Sequence, residues 1–260
     1  MLTHSALNLP YTTDALLMCV SIVAGIVDTI AGGGGMVTLP ALLFFNVPPI
    51  YALSANRFQG LVGESIATYH FKRKANLSLN YILYPIIFAL IGSSVGTLLV
   101  QHIHNQTLQT IVPLMLLFAL SYFLLSGRLF KQSSKTLMKP MQFAIIFGLA
   151  IGFYNGFFGP GTGSFWVLVF FLFQGLSLKN ATVHGKPVNL AGNIASFIFF
   201  FSQGHIYWPI ALSMAFGQII GANVGARLVI HNGQKIIRPI LTVVVILMIA
   251  ELIARSSRLG

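Results

Sequence analysis

The chain has 260 residues, of which 56% are hydrophobic and only 7% charged. A soluble domain carries about 25% charged residues, so this composition excludes a protein with water on all sides. The formal net charge of +11 points to a membrane rather than to nucleic acid. Its basic residues collect in short connectors between apolar runs, as in "FKRKANLSLN" and "SGRLFKQSSKTLMKP".

Apolar windows close to the ~20 residues that span a bilayer, such as Tyr81 to Val100, Leu108 to Leu125 and Ile236 to Ile253, occupy nearly the whole sequence. The expected fold is an all-α polytopic membrane protein of eight to ten membrane segments. The first apolar run lacks a basic leader, carries Asp28 and feeds into glycines, so it reads as a membrane helix and not a cleavable signal. Cys19 is the single cysteine, which excludes a disulfide or a thiolate metal site within the chain.

In chain order, a helix is expected over 12–31. The run Gly32, Gly33, Gly34 and Gly35 then breaks it, because each glycine weakens a helix by roughly 1 kcal/mol relative to alanine. A short apolar segment follows over 36–46, and helices are expected near 54–71, 80–101 and 107–126. The same order recurs over 140–158, a break at "GPGTGS", 164–173, and helices near 181–203, 209–230 and 235–254.

This recurrence extends to individual residues. At an offset of 127, Gly25 falls on Gly152, Asp28 on Asn155, Gly32 on Gly159 and Gly34 on Gly161. At an offset of 129, Arg57 falls on Lys186, Glu64 on Asn193, Gly92 on Gly221 and Gly96 on Gly225. The chain therefore reads as two repeats, about 1–127 and 128–260, in one transporter domain. The short segments cover only about 15 Å as helix and cannot cross the membrane alone, so they are half-helices. Paired broken segments at matching positions point to a binding site, and a half-helix N-terminus favours an anion.

The stretches "GIVDTIAGGGGMVTLPALL", "ALSANRFQG" and "GFYNGFFGPGTGSF" resemble the sulfite exporter TauE/SafE family, and the resemblance covers essentially the whole chain. It implies a multi-pass protein of the bacterial inner membrane that transports small anions, often sulfur-containing, such as sulfite or organosulfonates. Similar proteins often carry Asp where this chain has Asn155, which leaves Asp28 without a symmetric partner.

The candidate substrate-binding residues are Gly32, Gly33, Gly34, Gly35, Asn56, Arg57, Gly159, Gly161, Thr162, Gly163, Ser164 and Lys186. Arg57 and Lys186 stand at equivalent places before long apolar helices and either snorkel to the headgroups or bind the anion. Asp28 and Glu64 lie within apolar spans; they either couple transport to protons or form structural pairs with Arg57 or the broken backbone. His184, beside Lys186, joins them as a candidate for proton coupling. No metal or cofactor is expected, since the histidines lack metal spacing, and the partners are the anion and the lipid bilayer.

"GSSVG" matches a nucleophile elbow on paper, but its counterpart "GANVG" has Asn223 for the serine, and both fit close helix packing. The leading function is a secondary anion transporter; an anion channel and a membrane-embedded enzyme are the rivals. An odd number of crossings per half would invert the repeats and place Lys72, Arg73, Lys74, Arg128, Lys131, Lys135, Lys139, Arg227, Lys235 and Arg238 inside, with Arg255 and Arg258 outside. The charge rule favours this inverted arrangement.

Overall fold

The structure, a computed structural model, describes residues 11–75, 77–129 and 136–232. The helix expected over 235–254 lies outside these residues, as do Lys131, Lys135, Lys235, Arg238, Arg255 and Arg258. The described chain is helical throughout: α1 (Tyr11–Ala31), α2 (Gly34–Phe44), α3 (Pro49–Lys74), α4 (Leu79–Gln101), α5 (Asn105–Leu129), α6 (Pro140–Phe157), α7 (Thr162–Gln174), α8 (Leu178–Ser202) and α9 (Trp208–Asn232).

Two helix starts differ from expectation, with consequences for the charged residues. α3 begins at Pro49, where proline's missing N–H is harmless at the first helical position. α8 begins at Leu178, where the Ser177 side chain accepts from Asn180 N. Arg57 and Lys186 therefore lie about two turns inside their helices, deeper than starts at 54 and 181 would place them, and not ahead of a long apolar helix. α6 also contains a π-helical turn over Ala144–Gly148, which the sequence pattern does not announce.

Among the described residues, four helices are long and apolar enough to cross a membrane: Thr12–Ala31, Leu79–Gln101, Pro140–Phe157 and Trp208–His231. The chain is a multi-pass membrane protein. α1 packs on α9 and α4 on α6, each through glycines that let backbones touch. A Cβ on Gly225 would lie 2.9 Å from Ile26 O, and one on Gly152 would lie 2.7 Å from Ala89 O. Leu83, Ile87, Ile91 and Val95 of α4, with Phe216, Ile220 and Val224 of α9, point outward, where lipid is their solvent. α3 and α8 pack against each other and turn polar residues inward.

Contacts between helix ends fix their directions. Ser78, ahead of α4, bonds His184 near the start of α8; Lys179 Nζ donates to Ile230 O at the end of α9; Gln174 Nε2 donates to Met138 O before α6. One end of the bundle thus gathers the end of α3, with Lys72, Arg73 and Lys74, together with Lys139, Lys179 and Arg227. The opposite end joins the start of α3 to the start of α9 through Phe58 on Trp208 and Tyr51 on His205. Among the described residues it carries no lysine or arginine.

Each short helix doubles back on the long helix before it. α1 runs parallel to α9, since Gly217, Gly221 and Gly225 meet Met18, Ile22 and Ile26 in turn. α1 therefore starts at the uncharged end, and α2 returns there to meet α3. α7 folds back along α6 with Phe165 on Tyr154 and Phe173 on Phe147, and it ends beside Met138 at the basic end. The tips of the two hairpins touch. Ser164 Oγ donates to Ala31 O at 2.6 Å, and a Cβ on Gly163 would lie 2.6 Å from Gly32 Cα.

Candidate functional site

Between the two tips lies a cavity of about 20 Å³. That is space for about one water molecule. Its walls are Asp28, Gly32, Gly35, Asn56, Arg57, Gln59, Gly60, Glu64, Gly159, Gly161, Thr162, Asn189, Asn193 and Gln218. No aliphatic or aromatic side chain is among them. A polar, water-sized chamber inside an apolar bundle is costly unless its groups have partners, so the partners define its chemistry.

The first break builds one wall. Gly32 has a φ of +79°, which ends α1, and Gly34 N at the head of α2 donates to Asp28 Oδ1 at 3.2 Å. Asp28 is thus an acceptor for the half-helix N-terminus, where a negative charge is favoured. A side chain on Gly34 would collide with it, since a Cβ would lie 2.7 Å from Ala24 O and nearer still to Asp28. The second break builds the facing wall, with Gly159 and Gly161 at φ values of +92° and +88°. Thr162 Oγ1 donates to Gly159 O at 2.7 Å and closes this turn on itself.

Asn56, Gln59 and Thr38 form a connected amide and hydroxyl wall. Thr38 Oγ1 donates to Asn56 Oδ1 at 2.9 Å, and Gln59 Nε2 donates to Thr38 Oγ1 at 2.6 Å. Ser21 of α1 donates to Gln59 Oε1 at 2.9 Å and ties this wall to the α1–α9 pair.

Four charged residues are buried around the cavity: Asp28, Arg57, Glu64 and Lys186. Arg57 is 1% exposed and Lys186 2%, so neither snorkels to a headgroup. Their surroundings differ. Lys186 Nζ lies 2.8 Å from Asp28 Oδ2 and 3.6 Å from Glu64 Oε1, a cation held between two carboxylates. Glu64 also accepts from Asn189, and from Asn193 at 2.8 Å. Arg57 has no carboxylate within ion-pair distance among the described residues. Its Nη1 donates to Asn155 Oδ1 at 3.0 Å, its Nη2 to the Asn155 carbonyl, and its Nε has no partner. The acids pair with each other's cation, Lys186, and not with Arg57.

The structure brings most of the sequence-derived candidates together and sets a few apart. Gly32, Gly35, Asn56, Arg57, Gly159, Gly161, Thr162, Asp28 and Glu64 line the cavity. Gly33 caps α2, Gly34 is covered by Asp28, and Gly163 and Ser164 join the two tips without facing the chamber. Lys186 reaches the site only through the carboxylates. His184 is turned away: its Nε2 accepts from Ser78 N at 3.1 Å and its ring packs edge-on to Tyr81.

Sequence reasoning did not single out Gln59, Gly60, Asn189 or Gln218. Gln59 and Gly60 lie three residues after Asn56 and Arg57, one helical step from sites already named, and the spacing of Lys186, Asn189 and Asn193 at helical steps was the available signal. Ser94 of "GSSVG" donates to Leu90 O at 2.8 Å within its own helix, away from the cavity.

The sulfite exporter TauE/SafE family model matches residues 17–252. The chain belongs to this family. It is a membrane transporter and not an enzyme. It is similar to a "Probable membrane transporter protein" of Haemophilus influenzae, 38% identical over 92% of this chain and 94% of the relative. It is also similar to "Probable membrane transporter protein YfcA" of Escherichia coli K12, 39% identical over 93% of this chain and 90% of the relative. A more distant relative, "Probable membrane transporter protein YdhB" of Bacillus subtilis, is 26% identical over 76% of this chain and 82% of the relative. No solved structure matches the chain significantly.

Proposed function

We propose that this chain is a secondary carrier of small anions, sulfur oxyanions and organosulfonates among them, in the bacterial inner membrane. The observation that carries this reading is Arg57: a buried guanidinium with no carboxylate beside it, facing a polar cavity between two helix breaks. A buried charge costs several kcal/mol unless it is compensated, so a cation held by amide oxygens alone favours an incoming anion. The fork of a guanidinium suits an oxyanion bidentately.

The arrangement of the helices supports inverted repeats, 1–127 and 128–260, within one domain. α3 runs toward the basic end and its counterpart α8 runs away from it; the α1–α2 and α6–α7 hairpins open from opposite ends. Each half has a hairpin whose two arms meet at a glycine break; among the described residues α3, α4, α5, α8 and α9 join these four arms, and the apolar run expected over 235–254 would be the tenth segment. Two such halves rocking about a shared site give alternating access. The positive-inside rule puts the basic end in the cytoplasm.

The test is thermal stabilisation of the purified protein by sulfite, thiosulfate, sulfate, nitrate and a short organosulfonate. A bound anion at a hundred times its Kd stabilises by about 2.7 kcal/mol. Wild type is expected to be stabilised saturably by at least one of these, and Arg57→Gln by none. Equal shifts in both proteins for every anion overturn the site. Saturable, gradient-coupled uptake into vesicles distinguishes a carrier from an anion channel.

A further inference from the structure

We propose that the anion is bound together with one proton, taken from solvent onto the carboxylate of Glu64; this rests on the anion reading above. The first argument is a charge count. Among the described residues, the buried charges at the cavity are Asp28, Glu64, Arg57 and Lys186, two of each sign. The empty site is neutral in total with both acids ionised, although the negative charge that balances Arg57 sits on the Lys186 cluster and not in contact with the guanidinium. An anion entering beside Arg57 adds an uncompensated negative charge where water has been removed, and one proton removes that excess.

Geometry selects which acid takes it. Both oxygens of Asp28 are engaged, Oδ2 at 2.8 Å from Lys186 Nζ and Oδ1 accepting from Gly34 N. Protonating it would weaken both the ion pair and the head of α2. Glu64 is held more loosely by Lys186, at 3.6 Å, and its other partners are the neutral amides of Asn189 and Asn193. Lys186 keeps Asp28 as its partner when Glu64 is neutral.

Glu64 also faces the anion. It follows Arg57 on α3 by two helical turns, so both side chains leave one face and line one cavity. The charged groups facing it from other elements are Asp28 of α1 and Lys186 of α8; α9 presents the uncharged Gln218. A protonated carboxyl needs an acceptor for its O–H. Gln218 Oε1 is a buried acceptor with no partner, it lines the same cavity, and it lies against Gly63, the neighbour of Glu64. Gln218 Oε1 is therefore the candidate acceptor for a protonated Glu64 within the shared cavity.

The experiment is calorimetric titration of the full-length protein in detergent with nitrate and with a short organosulfonate, each of which keeps a single negative charge between about pH 6 and 8. It is repeated in two buffers of different ionisation enthalpy. Wild type is expected to take up about one proton per anion and to lose about tenfold in affinity per pH unit where Glu64 is ionised. Glu64→Gln is expected to bind the anion with no proton uptake and no pH slope. Heat of binding without proton uptake by wild type overturns the proton coupling and leaves the anion site standing. Uptake that persists in Glu64→Gln overturns the assignment to Glu64. No heat with either anion, alongside no stabilisation by the wider panel, overturns the anion reading itself. Wild type alone gives the proton count, so the test holds even if the variant does not fold.

Discussion

Asn155 holds Arg57 with two oxygens, its side-chain Oδ1 at 3.0 Å from Nη1 and its backbone carbonyl on Nη2. The pairing crosses from the tip of the α6–α7 hairpin to the middle of α3. It fixes the guanidinium without cancelling its charge, because an amide oxygen is a dipole and a carboxylate is an ion.

Asn155→Asp puts a permanent counter-ion at that contact. Anion affinity is expected to fall by tenfold or more, about 1.4 kcal/mol, while the protein stays folded and melts no lower. Anion titration and a melting curve on the same preparation check both halves. Unchanged affinity would remove Arg57 from the binding site.

Lys186 is expected to behave differently from Arg57, although the two align in sequence. Lys186→Gln leaves Asp28 and Glu64 buried without their cation, and breaking such a pair costs about 3–5 kcal/mol. Folded yield should drop sharply, and Asp28→Asn in the same chain should restore much of it. Size-exclusion profiles of the single and double variants give the answer; normal yield for Lys186→Gln alone contradicts the ion pair.

The glycine contacts predict a graded series. Gly32→Ala meets the backbone of Gly163 and also carries a φ of +79°, so it should misfold. Gly96→Leu and Gly225→Leu should lower folded yield by forcing α4 from α6 and α9 from α1. Ser94→Ala removes only a bond to Leu90 O in its own helix and should change yield and transport little. Transport lost in Ser94→Ala at normal protein level would reopen an enzymatic role for that serine.

Orientation is tested with single cysteines in a Cys19→Ala background. Gln203→Cys, at the uncharged end, should react with a membrane-impermeant maleimide in intact cells. Lys139→Cys, at the basic end, should react only after permeabilisation. The reverse pattern would invert the assignment of sides.

Composition alone determined the solvent: a chain with 7% charged residues has to satisfy its backbone in helices within lipid. The glycine runs determined where those helices stop, since glycine readily takes the positive φ that ends α1 at Gly32, and their recurrence pointed to paired half-helices around a site. Arg57, Asp28 and Glu64 were legible too, because a charge in an apolar run has to be used or neutralised. Which charge neutralises which was a matter of tertiary structure. Arg57 and Lys186 align in sequence, yet Lys186 is locked between Asp28 and Glu64 and Arg57 is left to amides, because those partners arrive from α1, α3, α6 and α8. His184 shows the same limit: one turn of α8 separates a cavity wall from a bond to Ser78, and helical phase is set by packing against neighbours that no local stretch of sequence contains.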